Sequence, residues 1–380
     1  MRVGIIGGGQ LAWMMGPAAK RLGLELVVQT PGPADPAVAI ANETILAPVD
    51  DTDATAKLAQ RCEVITFENE FIDLQALQAL PQSDALFRPR LAALAPLLDK
   101  LEQRSYLQSI GIPVPRFMAL TPAAQLEDSG ITQGMTLPFP LVLKARRHGY
   151  DGKGTHIVHT LQELQAVAPL GDQWMAEEFI PFERELAIMA ARGIDGSVAL
   201  YPVVETVQVE QVCRHVVVGQ PLPEAIAAQA AAIARQILDR LDVVGVFGIE
   251  LFLTADGELL VNELAPRTHN SGHYTLDACP TSQFEQQLRA VCGLPLGDTA
   301  PRWSALMVNL LGYETAKSDY RTQQQAIAQI PGAHLYWYGK PQSRPGRKLG
   351  HVTLQLAADR PISPQVKAIR EQIDVIWPSD

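Results

Sequence analysis

The N-terminal segment carries the pattern that most restricts the fold of this chain. A short apolar strand over Arg2–Ile6 runs into three glycines, and a helix over Gln10–Leu22 and a second strand over 24–29 follow. A strand, a glycine turn, a helix and another strand in this order are typical of a right-handed parallel βαβ unit. The sequence therefore predicts an N-terminal α/β domain that ends near Arg88-Pro89.

The glycine turn has two interpretations. Residues 7–12 fit the pattern Gly-x-Gly-x-x-Ala, which in dinucleotide-binding proteins places a pyrophosphate at a helix N-terminus. The acidic residue that binds the ribose is expected at the end of the second strand, where this chain has Gln29-Thr30. The fingerprint is incomplete, and close packing of the turn against the sheet explains the glycines better. An NAD-dependent oxidoreductase is the alternative from a different class of enzyme.

Length and composition limit the class of protein. A chain of 380 residues is too long for one ordinary core, so two or three domains are expected. Hydrophobic residues make up 47% of the chain and charged residues 19%, as in well-packed globular proteins. The net charge of −10 argues against sequence-independent nucleic-acid binding, which needs a basic surface. A local cluster of cations can still bind an anionic small molecule.

The cysteines and the apolar runs indicate the compartment. The four cysteines are widely separated and form no CxxC pair, so we expect reduced thiols, no disulfide and no thiolate-bound metal. The N-terminus lacks a signal-peptide pattern, and no apolar run reaches the roughly 18 residues of a membrane helix. We therefore predict a soluble cytoplasmic protein that binds no membrane.

The first candidate for chemistry is an apolar strand that ends in Lys144 and continues into a basic loop over residues 146–154. Three glycines in this loop allow backbone N–H groups to fold over phosphate oxygens, and lysine supplies a point charge. A hairpin loop whose glycines serve only the turn is the alternative. Lys144 on an apolar strand is costly without an anionic partner, which favours a phosphate site.

The second candidate is a hairpin over residues 246–263, in which two β-rich runs flank Asp256-Gly257. This pair is typical of a two-residue turn. Glu250 stands six residues before Asp256 and Glu263 six residues after Gly257, so the two carboxylates are predicted to face each other. Among apolar neighbours such a pair requires a bridging cation, and Mg²⁺ binds through carboxylates and phosphates. Solvent exposure of both glutamates is the alternative, and a one-residue register change would remove the pairing.

Four segments together resemble the ATP-grasp enzymes, and within them the N5-carboxyaminoimidazole ribonucleotide synthetases. The resemblance covers nearly the whole chain, and the third and fourth segments are its most specific parts. The segments are residues 7–11, 149–154, 262–273 (Asn-Glu-Leu-Ala-Pro-Arg-Thr-His-Asn-Ser-Gly-His) and 344–351 (Arg-Pro-Gly-Arg-Lys-Leu-Gly-His).

The resemblance implies a fold and a reaction. The implied fold class is α/β and α+β: an ATP-grasp fold with an N-terminal Rossmann-like pre-ATP-grasp domain over 1–95, nucleotide-binding lobes over 96–300 with a lid over about 115–182, and a small C-terminal domain over 301–380. The implied reaction joins bicarbonate to 5-aminoimidazole ribonucleotide with ATP, through carboxyphosphate, in purine biosynthesis. A homodimer is also implied. Phosphoryl transfer depends on positioning and charge neutralisation, which suits a sequence without a nucleophile–base motif.

The resemblance also assigns residues to ligands. For ATP it implies Lys100, Lys144, Gly149, Tyr150, Asp151, Gly152, Lys153, Gly154, Thr155, Glu177, Glu178, Phe179, Ile180, Glu185, Asn262 and Glu263. Within this set, residues 177–180 are implied to form the adenine hinge, and Glu185 is implied to bind the ribose.

A second set is implied for the metal and the ribonucleotide. Glu250 and Glu263 are implied to hold Mg²⁺. The ribonucleotide is implied to bind Tyr150, Asp151, Arg267, His269, Lys340 and Arg347, with Arg267 and Asp151 as catalytic residues.

Two further alternatives share the predicted nucleotide site. The first is another ATP-grasp carboxylase or formyltransferase that acts on glycinamide ribonucleotide or on a biotin-type acceptor. The second is a nucleotide-binding regulator without catalysis.

Overall fold

The N-terminal part is a parallel sheet covered by helices, as the βαβ pattern predicts. The computed structural model describes residues 1–81, 86–120, 137–147, 149, 154–167 and 173–378. The strands lie in the order β3-β2-β1-β4, and every pair in this sheet is parallel. The elements are β1 Arg2–Ile6, α1 Gln10–Leu22, β2 Glu25–Thr30, a 3₁₀ turn Pro36–Ala39, β3 Glu43–Leu46, α2 Thr52–Ala59, β4 Val64–Phe67 and α3 Leu74–Gln78.

The segment that joins this sheet to the rest of the chain corrects one expectation. The sequence predicts a single helix over 91–110, but the structure has α4 Leu91–Leu94, a 3₁₀ turn Ala95–Leu97 and a separate helix α5 Lys100–Ser109. Asp99 begins α5 because its carboxylate accepts hydrogen bonds from the N–H groups of Leu101 and Glu102. Lys100 is therefore the first residue of a helix.

A small antiparallel sheet forms the next layer. Its strands lie in the order β5-β8-β6-β7, and its core contains Leu141, Leu143 and Trp174. Its elements are β5 Phe117–Leu120, β6 Leu141–Ala145, β7 Thr155–Val158, α6 Leu161–Val167 and β8 Trp174–Glu178. Lys144 and Glu177 lie on the neighbouring strands β6 and β8.

A nine-stranded sheet forms the largest layer, and the C-terminal segment extends it. The strand order is β14-β13-β9-β11-β12-β15-β17-β16, with β10 paired to β9. Its elements are β9 Phe182–Arg192, β10 Val198–Leu200, β11 Val204–Val209, β12 Val212–Val218, α7 Glu224–Leu241, β13 Gly245–Thr254, β14 Leu259–Ala265, a 3₁₀ turn Asn270–Gly272, α8 Thr275–Ala278, α9 Gln283–Val291, β15 Ala305–Leu311, α10 Arg321–Ala328, β16 Ala333–Trp337, β17 Lys348–Gln355 and α11 Ile362–Ile376.

The C-terminal part continues the sheet of the central part. β15 is buried along its whole length and pairs with β12, and β17 and β16 follow it in the strand order. The 15-residue helix α11 was missed altogether, and it covers the sheet with Ile373 and the buried Trp377. Among the described residues, no helix is long and apolar enough to cross a membrane.

Candidate active site

The three sheets surround one large cavity, called the central cavity below, with a volume of about 920 Å³. Residues 9–11 and 68–72, which follow strands β1 and β4 of the N-terminal sheet, line one side, and Val142 and Lys144 of the small sheet line another. The third side comes from the nine-stranded sheet, with Glu250 and Glu263 among its residues. A volume of this size fits a nucleotide-sized ligand.

The hairpin of β13 and β14 brings Glu250 opposite Glu263, which confirms the predicted pairing. The predicted two-residue turn is wrong. Thr254 and Glu258 flank a three-residue turn, with hydrogen bonds from Thr254 N to Glu258 O (3.0 Å) and from Gly257 N to Thr254 O (3.0 Å). Gly257 has φ of 80°, a conformation that favours glycine in turns of this length.

A bulge at Asn262 restores the predicted register. Near the turn Leu251 pairs with Val261, whereas Glu250 pairs with Glu263, so that Asn262 is the extra residue. A bulge redirects side chains next to functional sites. Both Asn262 and Glu263 consequently line the central cavity, whereas regular alternation would place them on opposite faces.

The two facing glutamates have opposite electrostatic surroundings. Burial, the Glu263 carboxylate and Glu185 raise the pKa of Glu250. Burial also acts to raise the pKa of Glu263, but the ammonium of Lys100, 2.9 Å away, and that of Lys144 lower it below its usual range. Burial raises the pKa of Glu185 to about 7, with Lys144 opposing the shift. Glu250 is therefore a largely buried carboxyl. Among the ion pairs of the described residues its one cationic partner is His269, whose Nε2 lies 3.9 Å from Oε1.

Lys144 is held by a buried ionic network. Its Nζ lies 2.7 Å from Glu177 Oε2 and donates to Asn262 Oδ1 at 2.9 Å. Arg104 pairs with the other oxygen of Glu177 through Nε and donates from Nη2 to the carbonyl of Asn262. Burial lowers the pKa of Lys144, although Glu177 opposes this shift. The network fixes the ammonium at the cavity wall.

An apolar wall adjoins these charges. The rings of Phe182 and Phe252 stack with centroids 4.7 Å apart and planes inclined by 3°. Val142, Ile157 and Phe179 also line the cavity. This surface can receive a planar aromatic ring.

Arg267 and His269 also line the cavity. Nε of Arg267 lies 2.9 Å from a carboxylate oxygen of Glu70, and its Nη1 donates to the Thr268 carbonyl at 3.1 Å. Nδ1 of His269 lies 2.9 Å from the Ser271 hydroxyl and accepts from the N–H of Ser271 at 3.4 Å, and Nε2 lies 3.9 Å from Glu250 Oε1.

The structure brings most of the predicted site residues to the central cavity. Those that line it are Lys100, Lys144, Gly149, Thr155, Glu177, Glu178, Phe179, Ile180, Glu185, Glu250, Asn262, Glu263, Arg267 and His269. The predicted residues Tyr150, Asp151, Gly152 and Lys153 lie outside the described residues. Their assignments, like the ligand assigned to each lining residue, stay predictions.

Three predicted residues do not line the cavity as described. Gly154 lies behind it, where its carbonyl accepts from the Ala145 N–H at 2.7 Å. Lys340 donates to the Lys348 carbonyl at 2.8 Å, and Arg347 donates to the Gln342 carbonyl at 2.8 Å. Both therefore lie next to Lys348, which does line the cavity.

Sequence reasoning missed several residues of the site. Residues 68–70 (Glu-Asn-Glu) follow β4, and the carboxyl end of a parallel strand is where ligands bind in sheets of this type. The position of these residues directly after a parallel strand could have identified them from the sequence. Lys348 lies in the segment over 344–351, but nothing in its local sequence distinguishes it from the cations beside it, and Arg104 lies in a polar helix without any local signal.

The glycine turn at the start of α1 contains a carboxylate of the protein itself. Glu68 is buried, and its carboxylate accepts hydrogen bonds from the N–H groups of Gly9 and Leu11. In a dinucleotide-binding protein the pyrophosphate takes these donors. Burial raises the pKa of Glu68 despite these bonds and the nearby Asn69 and Arg267. The turn thus argues against the oxidoreductase alternative.

Three family models match consecutive parts of the chain. They are a ribonucleotide synthetase preATP-grasp domain over residues 1–95, an ATP-grasp domain over 105–284 and a phosphoribosylaminoimidazole carboxylase C-terminal domain over 305–360. Each match lies within one of the three predicted regions, whose boundaries stay predictions.

Relatives of known name cover the whole chain. The N5-carboxyaminoimidazole ribonucleotide synthase of Synechococcus elongatus is 57% identical over 382 residues, which cover 99% of this chain and 95% of the relative. This chain belongs to the N5-carboxyaminoimidazole ribonucleotide synthase family. The relative of the same name from Synechocystis is 53% identical, with 100% of this chain and 98% of the relative covered.

Solved structures of this synthase family have the same fold. The Aspergillus clavatus enzyme complexed with ATP is 31% identical with a TM-score of 0.88, and the match covers 99% of this chain and 98% of that structure. The same enzyme with ADP and 5-aminoimidazole ribonucleotide is 29% identical, also with a TM-score of 0.88 and with 98% of both chains covered. The predicted fold class and the predicted resemblance are confirmed.

Proposed function

We propose that this chain catalyses the ATP-dependent carboxylation of 5-aminoimidazole ribonucleotide with bicarbonate, which yields N5-carboxyaminoimidazole ribonucleotide, ADP and phosphate. One observation carries the proposal: the central cavity combines Lys100 and the buried Lys144 with two facing glutamates and the pair Arg267 and His269. The relatives named for this product, and the relative solved with ADP and 5-aminoimidazole ribonucleotide, support it.

The chain's own residues suit the ATP end of the reaction. Lys144 and Lys100 supply positive charge where the phosphates would bind, and the apolar wall beside them would receive the adenine. A bicarbonate oxygen attacks the γ-phosphorus as ADP leaves, which gives carboxyphosphate. This step depends on positioning and on neutralising charge, both of which fixed ammonium groups provide.

The chemistry of the donors at the hairpin fits Mg²⁺. Glu250 and Glu263 supply hard oxygen ligands on facing strands, and Glu250 has the raised pKa of a carboxyl in need of a cation. The described residues contain no group of three or more His, Cys, Asp or Glu that could hold a metal alone. Phosphate oxygens and water would complete the shell, and the ion would neutralise charge on the transferring phosphoryl group.

The second step would take place near Arg267 and His269. The amine of the ribonucleotide attacks the carboxyl carbon of carboxyphosphate, or the CO₂ released from it; phosphate leaves and the amine loses one proton. Arg267, held by Glu70, would orient an anionic group there, and Nε2 of His269, when protonated, would donate a hydrogen bond to one. A site closed to water protects the labile carboxyphosphate.

The acceptor can be tested directly. We expect ADP release with bicarbonate to be stimulated by 5-aminoimidazole ribonucleotide, and not by glycinamide ribonucleotide or a biotin-type acceptor. A coupled ADP assay with each acceptor measures this. Equal turnover with glycinamide ribonucleotide would overturn the choice of substrate, and Mg–ATP binding without any stimulated ADP release would favour a non-catalytic regulator.

Lys144→Ala is expected to weaken Mg–ATP binding roughly 10- to 100-fold, because a hydrogen bond to a charged group contributes roughly 1.5–3 kcal/mol. The fold should survive, since Glu177 keeps Arg104 as a partner. Titration calorimetry measures the affinity, and Lys57→Ala on the exposed face of α2 is the matched control. Unchanged affinity would give Lys144 a structural role only.

The homodimer and the cytoplasmic location stay predictions.

A further inference from the structure

Gln283, the first residue of α9, has a side chain that is buried completely beneath the segment over 268–275. Its own N–H donates to the hydroxyl of Thr275 at 2.9 Å, and that hydroxyl donates to the Gly272 carbonyl at 2.6 Å. A methyl group at Gly272 would lie 2.6 Å from Oε1 of Gln283. The segment is therefore shaped around this amide.

The backbone of His269 fixes the orientation of the amide. Oε1 of Gln283 accepts from the N–H of His269 at 2.9 Å, and Nε2 donates to the carbonyl of the same residue at 2.7 Å. A backbone N–H can only donate and a backbone carbonyl can only accept, so the reversed amide would lose both bonds. Nε2 of Gln283 must therefore face the carbonyl of His269.

The oriented amide in turn fixes the tautomer of a second histidine. Nε2 of Gln283 lies 3.2 Å from Nδ1 of His273 and still has one hydrogen to donate. An amide nitrogen cannot accept a hydrogen bond, so Nδ1 of His273 is the acceptor in this contact. The His269 carbonyl is the competing partner of the ring, because it would accept from a protonated ring nitrogen of His273. The ring proton of His273 then resides on Nε2.

We propose that Gln283 is a positioning residue that holds His273 as the Nε2–H tautomer and fixes His269 beside Glu250. His273 lines the central cavity, and burial, with the nearby His351 and Lys348, holds its pKa well below the usual range. A neutral imidazole with a fixed Nε2–H is a hydrogen-bond donor. The oxygens of bicarbonate, carboxyphosphate and phosphate accept hydrogen bonds, so a donor suits each of them. The catalytic consequence rests on the proposed function, whereas the tautomer does not.

The tautomer can be observed without any assay. In protein labelled with ¹⁵N-histidine, we expect the ¹⁵N shifts of His273 to show a protonated Nε2 and an unprotonated Nδ1, with signals assigned by their loss in His273→Gln. Gln283→Glu keeps the size of the side chain but replaces the donor with an acceptor, so it should move the proton to Nδ1. A ring proton on Nδ1 in the unaltered protein, or no change in Gln283→Glu, would overturn the proposal.

The same helix offers a matched control. Gln286 is equally buried and holds the backbone of Gly297 with the same two bonds, from the Gly297 N–H at 2.8 Å and to the Gly297 carbonyl at 2.9 Å. Gln286→Glu should therefore carry a similar cost in stability, but it should leave the His273 tautomer and the turnover near those of the unaltered protein.

The kinetic readout separates positioning from folding. Gln283→Glu should lower kcat/KM for 5-aminoimidazole ribonucleotide about 100-fold, the loss expected from a misplaced catalytic group, with the KM for ATP nearly unchanged. An equal loss in Gln286→Glu would show a structural role and would overturn the proposal. If Gln283→Glu does not fold, the spectrum of the unaltered protein still decides the tautomer. If that protein does not turn over the ribonucleotide, the proposed function fails and the tautomer test stands.

Discussion

Glu250→Gln is expected to make the free protein more stable and at the same time to remove most of its turnover. The side chain of Glu250 is only 16% exposed, faces Glu263 and has Glu185 nearby, so its negative charge is unfavourable until a cation arrives. A neutral amide removes that cost, which we place at roughly 1–2 kcal/mol. Turnover should fall about 100- to 1,000-fold, as when one electrostatic contact to a transition state is lost.

The pH dependence of this difference has a definite sign. The pKa of Glu250 is raised in the folded protein, so the folded state binds more protons than the unfolded state above the usual value of 4.5. The contribution of this group to the unfolding free energy consequently decreases as the pH rises from 4.5 towards neutral. Urea unfolding without Mg²⁺ should show the advantage of Glu250→Gln growing over that range, and Mg–ATP should remove it.

Two companion variants make the test specific. Glu258→Gln lies on the same hairpin but is exposed, so it should change neither stability nor turnover. Glu263→Gln should lose turnover without gaining stability, because Glu263 already has the Lys100 ammonium as a partner. A Glu250→Gln variant that is less stable than the unaltered protein would show that the buried carboxyl is stabilised by something other than a bound cation.

The hairpin shows how a correct prediction can rest on incorrect local geometry. The sequence predicted Glu250 opposite Glu263 from a two-residue turn, and the structure has a three-residue turn and a bulge at Asn262 instead. The longer turn shifts the pairing of the strands by one residue, and the bulge shifts it back, so that Glu250 still faces Glu263. The pattern of apolar residues could not reveal them, because the bulge depends on bonds from Arg104 and Lys144 that reach Asn262 from elsewhere in the chain.

Elements with strong local signals were predictable, and long-range partnerships were not. The parallel N-terminal sheet followed from a strand, a glycine turn and a helix in order. The place of β15 in the nine-stranded sheet depends on its pairing with β12, almost ninety residues earlier, which no local pattern encodes. The break before α5 did have a signal, since Pro96 and the N-cap Asp99 both disfavour a continuous helix.

The residues of the site also divide into those with a local signal and those that depend on long-range partners. Glu250, Glu263 and Lys144 were found because a charge on an apolar strand needs an explanation, and the structure places all three at one cavity. Glu68 and Gln283 were not found, because their roles consist of hydrogen bonds to backbone groups that are distant in sequence. Polar residues of this kind become visible only when burial and partners are known.

Arg104→Met is expected to cost about 3–5 kcal/mol of stability, the range for breaking a buried ion pair from one side. The side chain of Arg104 is 2% exposed, and its removal leaves the buried Glu177 carboxylate with Lys144 alone. The Asn262 carbonyl at the bulge also loses its donor. Because Glu177 and Asn262 both hold Lys144, the KM for ATP should rise about 10-fold as well, and urea unfolding and initial-rate kinetics measure the two effects.

Two comparisons test whether Arg104 affects the nucleotide site through the buried ionic network that holds Lys144. The first is a neighbouring ion pair, and the second is a double variant. Arg116 pairs with Glu178, the residue after Glu177, but its side chain is 62% exposed, so Arg116→Met should cost less than about 1 kcal/mol. Arg104→Met combined with Glu177→Met removes both charges of the pair but leaves the buried Lys144 ammonium without its carboxylate, so it should recover none of the lost stability. ATP binding should not recover, because Lys144 has then lost its carboxylate. If the double variant restored ATP binding together with stability, Arg104 would affect the nucleotide site only through folding.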